Sequence, residues 1–524
     1  LKLNTKSLLY GTFVLTAANF IVRLLGFIYR IFLSRMIGPE GMGLFQLVFP
    51  LYMVSITVTA SGIPIAVSRL VAERKAIGDE RGIVRTVIIS LCLITIVSIC
   101  LSAFFVLNID QITVNLLQDF RIRPALFIFF PCILITGLAA VFKGYFYGLR
   151  DIHPPAFAEI AEQIIRMILV SVILSCIPSL NEQTSAAIAV FGMVMGELAG
   201  LLYLHYSYHQ SVKNYSKSKE TPSVVRISKT ILGIALPITL TRLIGSSMGA
   251  ANSILIPRRL AAGGMTSSEA IGTYGIISGM VMPLLFFPFA LISALSVILI
   301  PNLSENVILK NWSNIRDKIS KSILITCLTA FPTMALLVPL AHPIGIVLYD
   351  QPDVGNLLTP LAFSTIFLCL DYSLGNILNG LGKQARAAVH STIGDVIQII
   401  CTYFLVAHPS FGIYGFIIGF IANSILVSVL NFITVVQVTR LKPQFSNWFI
   451  KPGLASLLMA LVVRLLYLVL TNYKIAYGLS LIIAITIGLM VLFITFVLLG
   501  SIPYSFLNKL LRIFSPPLHN DIDA

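Results

Sequence analysis

Charge is what this sequence has least of. Aspartate, glutamate, lysine and arginine together supply 11% of its 524 residues, where a soluble domain carries about 25%. A water-soluble fold of this length could not hide the apolar surface that remains, so a soluble enzyme or binding domain is excluded. Cysteine is sparse too. Cys92, Cys100, Cys132, Cys176, Cys327, Cys369 and Cys401 all stand in apolar runs, with neither CxxC nor metal-ligand spacing. They read as small helix-packing residues, and neither disulfides nor a metal site is expected. The histidines (His153, His205, His209, His342, His390, His408 and His519) show no HxxxxD or HExxH pattern, and no long external loop could house chemistry. This argues against a membrane enzyme such as a glycan polymerase or acyltransferase, and no cofactor is implied. The net charge of +15 is scattered through short loops rather than gathered in a patch, which argues against nucleic acid.

What fills the chain is hydrophobic: 57% of it, with a mean hydropathy of +0.94. A span needs roughly 20 apolar residues, and the sequence offers fourteen: 8–33, 44–68, 83–107, 122–148, 156–178, 185–207, 229–256, 272–300, 319–341, 357–381, 387–407, 412–438, 448–470 and 477–500. The runs are continuous rather than alternating, so they predict helices and not barrel strands. Lys2 and Lys6 before the first run imitate a signal peptide. The run continues to about Leu33 without a small-residue cleavage pattern, so a permanent first helix is expected.

Of the 36 lysines and arginines, 24 lie on or at the edges of the N-terminus, the segments after even-numbered spans, and the C-terminus. The opposite face holds only Arg35, Arg121, Arg123, Arg258, Arg259 and Lys474. This asymmetry predicts a cell-membrane protein with both termini in the cytoplasm.

The chain also repeats. A shift of 232 brings Gly43 onto Gly275, Ser61 onto Ser293, Glu73 onto Glu305, Ser90 onto Ser322 and Gly148-Leu149 onto Gly380-Leu381. In the first span the shift is 219, pairing Arg23-Leu24-Leu25-Gly26 with Arg242-Leu243-Ile244-Gly245, and RRLAAGGMTSSEA (258–270) absorbs the difference. Six helices per unit set both units the same way up, a transporter architecture with its site between parallel lobes. The expected organisation is an N-lobe over 1–210, a cytoplasmic linker over 211–228, a C-lobe over 229–440, and two further helices with a tail over 441–524.

Six bases stand inside the spans, Arg23, Arg30, Lys143, Arg166, Arg242 and Arg464, with five acids, Glu159, Glu162, Glu197, Asp371 and Asp395. Each costs about 2.5–3.5 kcal/mol at mid-bilayer unless it is paired or faces water. Lys143 and Arg464 can snorkel. Arg23 and Arg30, seven apart, share a helix face, and Arg242 holds the repeat-equivalent place of Arg23. The first and seventh spans contain no acid. The arginines therefore either bridge to partners elsewhere or line a watery cavity where guanidinium forks match phosphate. Glu159, Glu162 and Arg166 form one stripe, with Glu162 and Arg166 set to pair. Asp395 and Gln398 form another in repeat register; such stripes could hydrogen-bond sugar hydroxyls or take up a coupling proton. Glu197, flanked by small residues, reads as a helix–helix contact. Pro50, Pro131, Pro237, Pro283, Pro288 and the SGIP of 61–64 mark kinks.

Taken in order, RLLGFIYRIFLSRMIGPEGMGLF (23–45), SGIPIAVSRLVAE (61–73), AEQIIRMILV (161–170), GELAGLLYL (196–204) and TRLIG (241–245) resemble the polysaccharide-exporter branch of the multidrug/oligosaccharidyl-lipid/polysaccharide (MOP) superfamily, over nearly the whole chain. The resemblance implies an all-α, fourteen-helix MATE-like fold whose cavity opens alternately to each side. It implies a relation to the MurJ lipid II flippases, whose cavities are lined by arginines. Arg23 and Arg35 match their first-helix pattern, and Arg242 lies on the corresponding helix of the second lobe. Two departures are plain: YMVSITVTASG (52–62) lacks their second-helix arginines, and Arg30 stands where they carry an acid. The implied substrate is a lipid II-like polyprenyl-pyrophosphate-linked glycan. Its head group would be held by Arg23, Arg30, Arg35 and Arg242, while Glu159, Glu162, Arg166, Asp371, Asp395 and Gln398 would serve as cavity polar or coupling groups. The last two helices would form a groove for the polyprenyl tail. Sporulation-linked members imply a role in spore cortex peptidoglycan at the membrane around the forespore, among membrane lipids and cortex-synthesis machinery. The rival readings are a cation-coupled drug antiporter, kept open by Asp371 and Asp395, and a non-transporting scaffold in cortex assembly.

Overall fold

The structure, a computed structural model, describes residues 8–177, 180–213, 215 and 223–500. Residues 214 and 216–222 of the expected linker, and the lysines and arginines at both chain ends, fall outside the described residues. Among the described residues every regular element is helical.

In chain order the helices are α1 (Leu8–Gln46), α2 (Phe49–Ala60), α3 (Gly62–Ala76), α4 (Glu80–Leu107), α5 (Arg123–Leu149) and α6 (His153–Cys176). Next come α7 (Glu182–Val212), α8 (Val224–Ala262), α9 (Ser267–Phe286), α10 (Phe289–Ile308) and α11 (Trp312–Ile344). The last six are α12 (Asp353–Ala362), α13 (Thr365–Gly380), α14 (Gln384–Leu405), α15 (Ile413–Thr439), α16 (Lys451–Asn472) and α17 (Tyr477–Leu498). Short side chains start several of them. Asp79 accepts from Gly82 N ahead of α4, Asn181 accepts from Thr184 N ahead of α7, and Thr266 with Glu269 forms a capping box for α9, each satisfying an orphan amide.

Twelve described helices are long and apolar enough to cross a membrane, thirteen if α12 and α13, bent by 53° at Phe363-Ser364, make one span. The expected number was fourteen. Neither α1 nor α6 is among these helices, which removes two of the expected spans, while the division of the eighth adds one. The helix of the fifth expected span, α6, carries Glu159, Glu162 and Arg166 in its 24 residues, which lowers its apolar character. The eighth span is divided into α9 and α10 next to Pro288, which cannot continue a helical ladder.

The contacts divide the chain into two units, one of 1–284 with 392–420, the other of 285–391 with 421–524. In the first, α5 packs on α3, α4 and α7, and α6 lies along α7. Val67, Val87, Ile94, Val141, Tyr145 and Leu204 form its dry interior. The SGIP stretch is the break between α2 and α3, at Ser61. There α8 comes so near that a Cβ on Gly62 would sit 2.2 Å from the Ala235 carbonyl oxygen. The end of α1 meets α9 as closely: a Cβ on Gly43 would lie 2.1 Å from Ile271 O, and one on Gly275 2.1 Å from Pro39 O. In the second unit α10, α11, α13 and α15 close around Leu303, Ile319, Cys327, Leu374, Ile377 and Trp448. The two expected C-terminal helices are α16 and α17, which pack on each other and on α11.

Candidate functional site

The first unit contains a cavity of about 420 Å³ walled by α1, α2, α3, α5, α6 and α7. Its lining is apolar at Val22, Ile56, Ala60 and Ala139, but four charges open into it: Lys143, Glu159, Glu162 and Glu197. Lys143 Nζ on α5 donates to Glu159 Oε1 on α6 at 3.2 Å. One turn further along α6, Glu162 pairs with Arg166. Glu197 on α7 accepts from the Tyr52 hydroxyl of α2 at 3.1 Å. Three carboxyls thus stand against two bases, and Glu197 is the one whose hydrogen bond comes from a neutral group rather than a base.

Behind the ion pairs lies a second polar layer. Tyr29 OH, Gln163 Nε2 and Arg166 Nε are buried without a hydrogen-bond partner, and Gln163 Nε2 lies 3.7 Å from the Cβ position of Gly26 on α1. Two unpartnered donors and a hydroxyl are unusual in a closed interior, where an unmade hydrogen bond costs about 1–3 kcal/mol. Tyr29 presents its hydroxyl from α1, and Gln163 and Arg166 present their nitrogens from α6.

The expected site residues do not all gather here. The structure brings Glu159, Glu162 and Arg166 together, and adds Lys143, Glu197, Tyr52 and Tyr29. Lys143 does not reach for the membrane surface; it pairs inside. Glu197 does make the expected helix–helix contact, through Tyr52, and lines the cavity as well. An acid at mid-span is itself the signal that finds Glu197, whereas nothing in the sequence marks Tyr52. Arg23 and Arg242 are left uncovered by the protein and form no ion pair among the described residues. Arg35 is likewise exposed and Arg30 half-buried. Gln398 is buried on α14, with Asp395 one turn away. Asp371, in the second unit, accepts from Asn431 Nδ2 at 3.0 Å, and Asn431 Oδ1 accepts from His390 Nδ1 at 2.9 Å. This links α13, α14 and α15 through one polar chain.

Comparison with known proteins gives the site a setting. The family described as "Polysaccharide biosynthesis protein" matches residues 8–307, and the family MatE matches 237–404. Stage V sporulation protein B of Bacillus subtilis (strain 168) is 28% identical over 436 residues, 83% of this chain and 84% of that protein. Among solved structures, the lipid II flippase MurJ in an inward closed conformation aligns with a TM-score of 0.70 at 16% identity, covering 93% of this chain and 99% of that one. An inward-facing multidrug resistance MATE transporter of the MOP superfamily gives 0.65 at 15% identity, over 82% and 98%. The all-helical, multi-pass membrane fold is therefore MATE-like, and the two solved structures that share it are a flippase and a multidrug transporter.

Proposed function

Because the chain belongs to the polysaccharide biosynthesis protein family, we propose that it is a flippase carrying a polyprenyl-pyrophosphate-linked glycan of the lipid II kind across the cell membrane by alternating access. The observation that carries the reading is the state of Arg23 and Arg242: two guanidinium groups inside apolar helices, uncovered by protein and without an ion pair among the described residues. Facing lipid tails they would cost several kcal/mol each; facing a water-filled path they are a ready fork for a pyrophosphate. Arg30 and Arg35 extend the same basic character along α1. The polyprenyl tail stays in lipid beside α16 and α17 while the head group crosses. The charged head group makes movement sensitive to membrane potential.

In this reading residues 1–210 and 229–440 are two parallel lobes joined by the 211–228 segment, with both termini cytoplasmic. Contacts between residues 232 apart in the first unit support the repeat: Gly43 against Gly275, and Gln46 Nε2 donating to Ser278 O at 3.2 Å. The likeness to a sporulation protein supports a place in spore cortex synthesis at the forespore membrane.

The test is flipping of tagged lipid II in proteoliposomes. Wild type should move it, and Arg23→Ala and Arg242→Ala should each lower the rate by at least about tenfold, the effect of one lost charge-assisted contact. Failure of the wild type to move lipid II under an imposed potential or ion gradient would overturn the substrate assignment.

One observation favours a second reading, a cation-coupled antiporter of the same fold. The third carboxyl of the Glu159–Glu162–Glu197 cavity, that of Glu197, offers a place for a coupling cation. Under that reading the wild type drives efflux of a cationic dye against a proton or sodium gradient, and Glu197→Gln abolishes it.

A further inference from the structure

The second unit carries two adjoining cavities, of about 400 and 350 Å³, where α15 ends and α16 begins. They share Asp317, Ser320 and Gln444. Lys321 and Lys451 open into the larger one, and Arg316, Arg440 and Lys442 into the smaller. Five bases thus meet a single acid, Asp317, and that acid is taken by Lys321 at 2.7 Å.

A membrane protein scatters bases over its cytoplasmic loops as a matter of course. Here they instead line connected concavities, and the backbone is bent to put them there. Arg440 takes a φ of 54°, a left-handed conformation that costs of order 1 kcal/mol or more outside glycine. It turns the chain out of α15 so that Arg440 and Lys442 share a cavity with Arg316, whose guanidinium also reaches the Thr439 carbonyl at 3.5 Å. The floor is partly apolar. Leu324 and the indole of Trp448 wall the larger cavity, and Trp448 Nε1 donates to Ser320 Oγ at 3.2 Å. Accepting from the indole leaves the Ser320 hydroxyl proton for another acceptor. The cavities also sit at the ends of candidate spans, where α11 and α16 begin and α15 finishes.

We propose that these joined cavities are a binding site for the phosphate of an anionic phospholipid of the bilayer, separate from the transport path. Five bases, a spare hydroxyl donor and an apolar wall match a phosphodiester that continues into a glycerol and acyl chains. Basic pockets at the cytoplasmic ends of membrane helices hold anionic head groups in this way. A free phosphate would use the bases but would gain nothing from Leu324 and Trp448.

The full-length chain, purified in detergent, would be titrated with phosphatidylglycerol and with phosphatidylcholine, and bound lipid counted by native mass spectrometry. Phosphatidylglycerol should bind at least about tenfold more tightly. Lys442→Gln/Lys451→Gln should weaken it roughly 25-fold, about fivefold per surface charge removed. The equally basic change Arg81→Gln/Arg226→Gln, outside the cavities, should shift it less than about twofold. Equal binding of the two lipids, or equal loss in both double variants, would overturn the proposal. So would displacement by glycerol 3-phosphate at the same concentration as lipid, which would make this a soluble-phosphate site. Tighter binding of a polyprenyl pyrophosphate than of phosphatidylglycerol would also overturn it. If the first variant does not fold, Arg440→Gln/Lys442→Gln asks the same question.

Discussion

A charge in an apolar span is tolerable with a counter-charge or with water; the structure shows the first, and the proposed function needs the second. Arg166 takes the first route, largely buried against Glu162. Removing one partner strands the other, at about 3 kcal/mol. Glu162→Gln should therefore lower the thermal midpoint in detergent by several degrees, and Glu162→Gln/Arg166→Met should restore most of it. No recovery in the double variant would mean that the pair acts through something other than charge balance. Arg23 is uncovered by protein, and Arg23→Ala should leave the midpoint unchanged within about 0.5 kcal/mol, as at an exposed position. Stability and transport would then separate at these two arginines. The Glu162–Arg166 pair was legible because i, i+4 spacing fixes geometry within one helix. Lys143 with Glu159 joins two helices and Tyr52 with Glu197 joins α2 to α7, and no local spacing encodes such meetings.

Between helices, separation is set by the residue at the crossing. Gly43 and Gly275 let α1 and α9 touch backbone to backbone. Gly43→Ala would meet the Ile271 carbonyl oxygen at 2.1 Å and the branched Ile271 Cγ2 at 2.6 Å, and should cost about 1–3 kcal/mol, read as a lowered thermal midpoint. Gly233 on α8 has nothing within 4 Å of its Cβ position, and Gly233→Ala should be neutral or stabilise by up to about 1 kcal/mol through helix propensity. Equal effects at both positions would show that crossing distance is not what Gly43 controls. Apolar runs made most helices readable, because length and hydropathy suffice to mark a span. The division of α9 from α10 follows a proline the sequence displays. The 53° bend between α12 and α13 lies at Phe363-Ser364, a turn after Pro360; there the sequence reads as one run, and the bend direction depends on neighbours that the run does not name.

For the molecule as a whole, the distribution of lysine and arginine sets the orientation to test. A fluorescent protein fused to the C-terminus should glow and an alkaline phosphatase there should stay inactive; the reverse pattern would invert the proposed topology. Fold class was open to reading at this scale because composition and continuous apolar runs leave a membrane chain few alternatives. Which charges meet was not, since that depends on tertiary placement.

Residues 232 apart touch where α1 meets α9, as Gly43 does with Gly275. If the chain arose by doubling a shorter one, the two copies of most positions became free to change separately, each answering only to its own surroundings. At this contact each copy is its twin's surroundings. A larger side chain accepted by one must be housed by the other, so a change there is in effect made twice. On that origin, the pair of glycines is a place where the two copies still negotiate with each other.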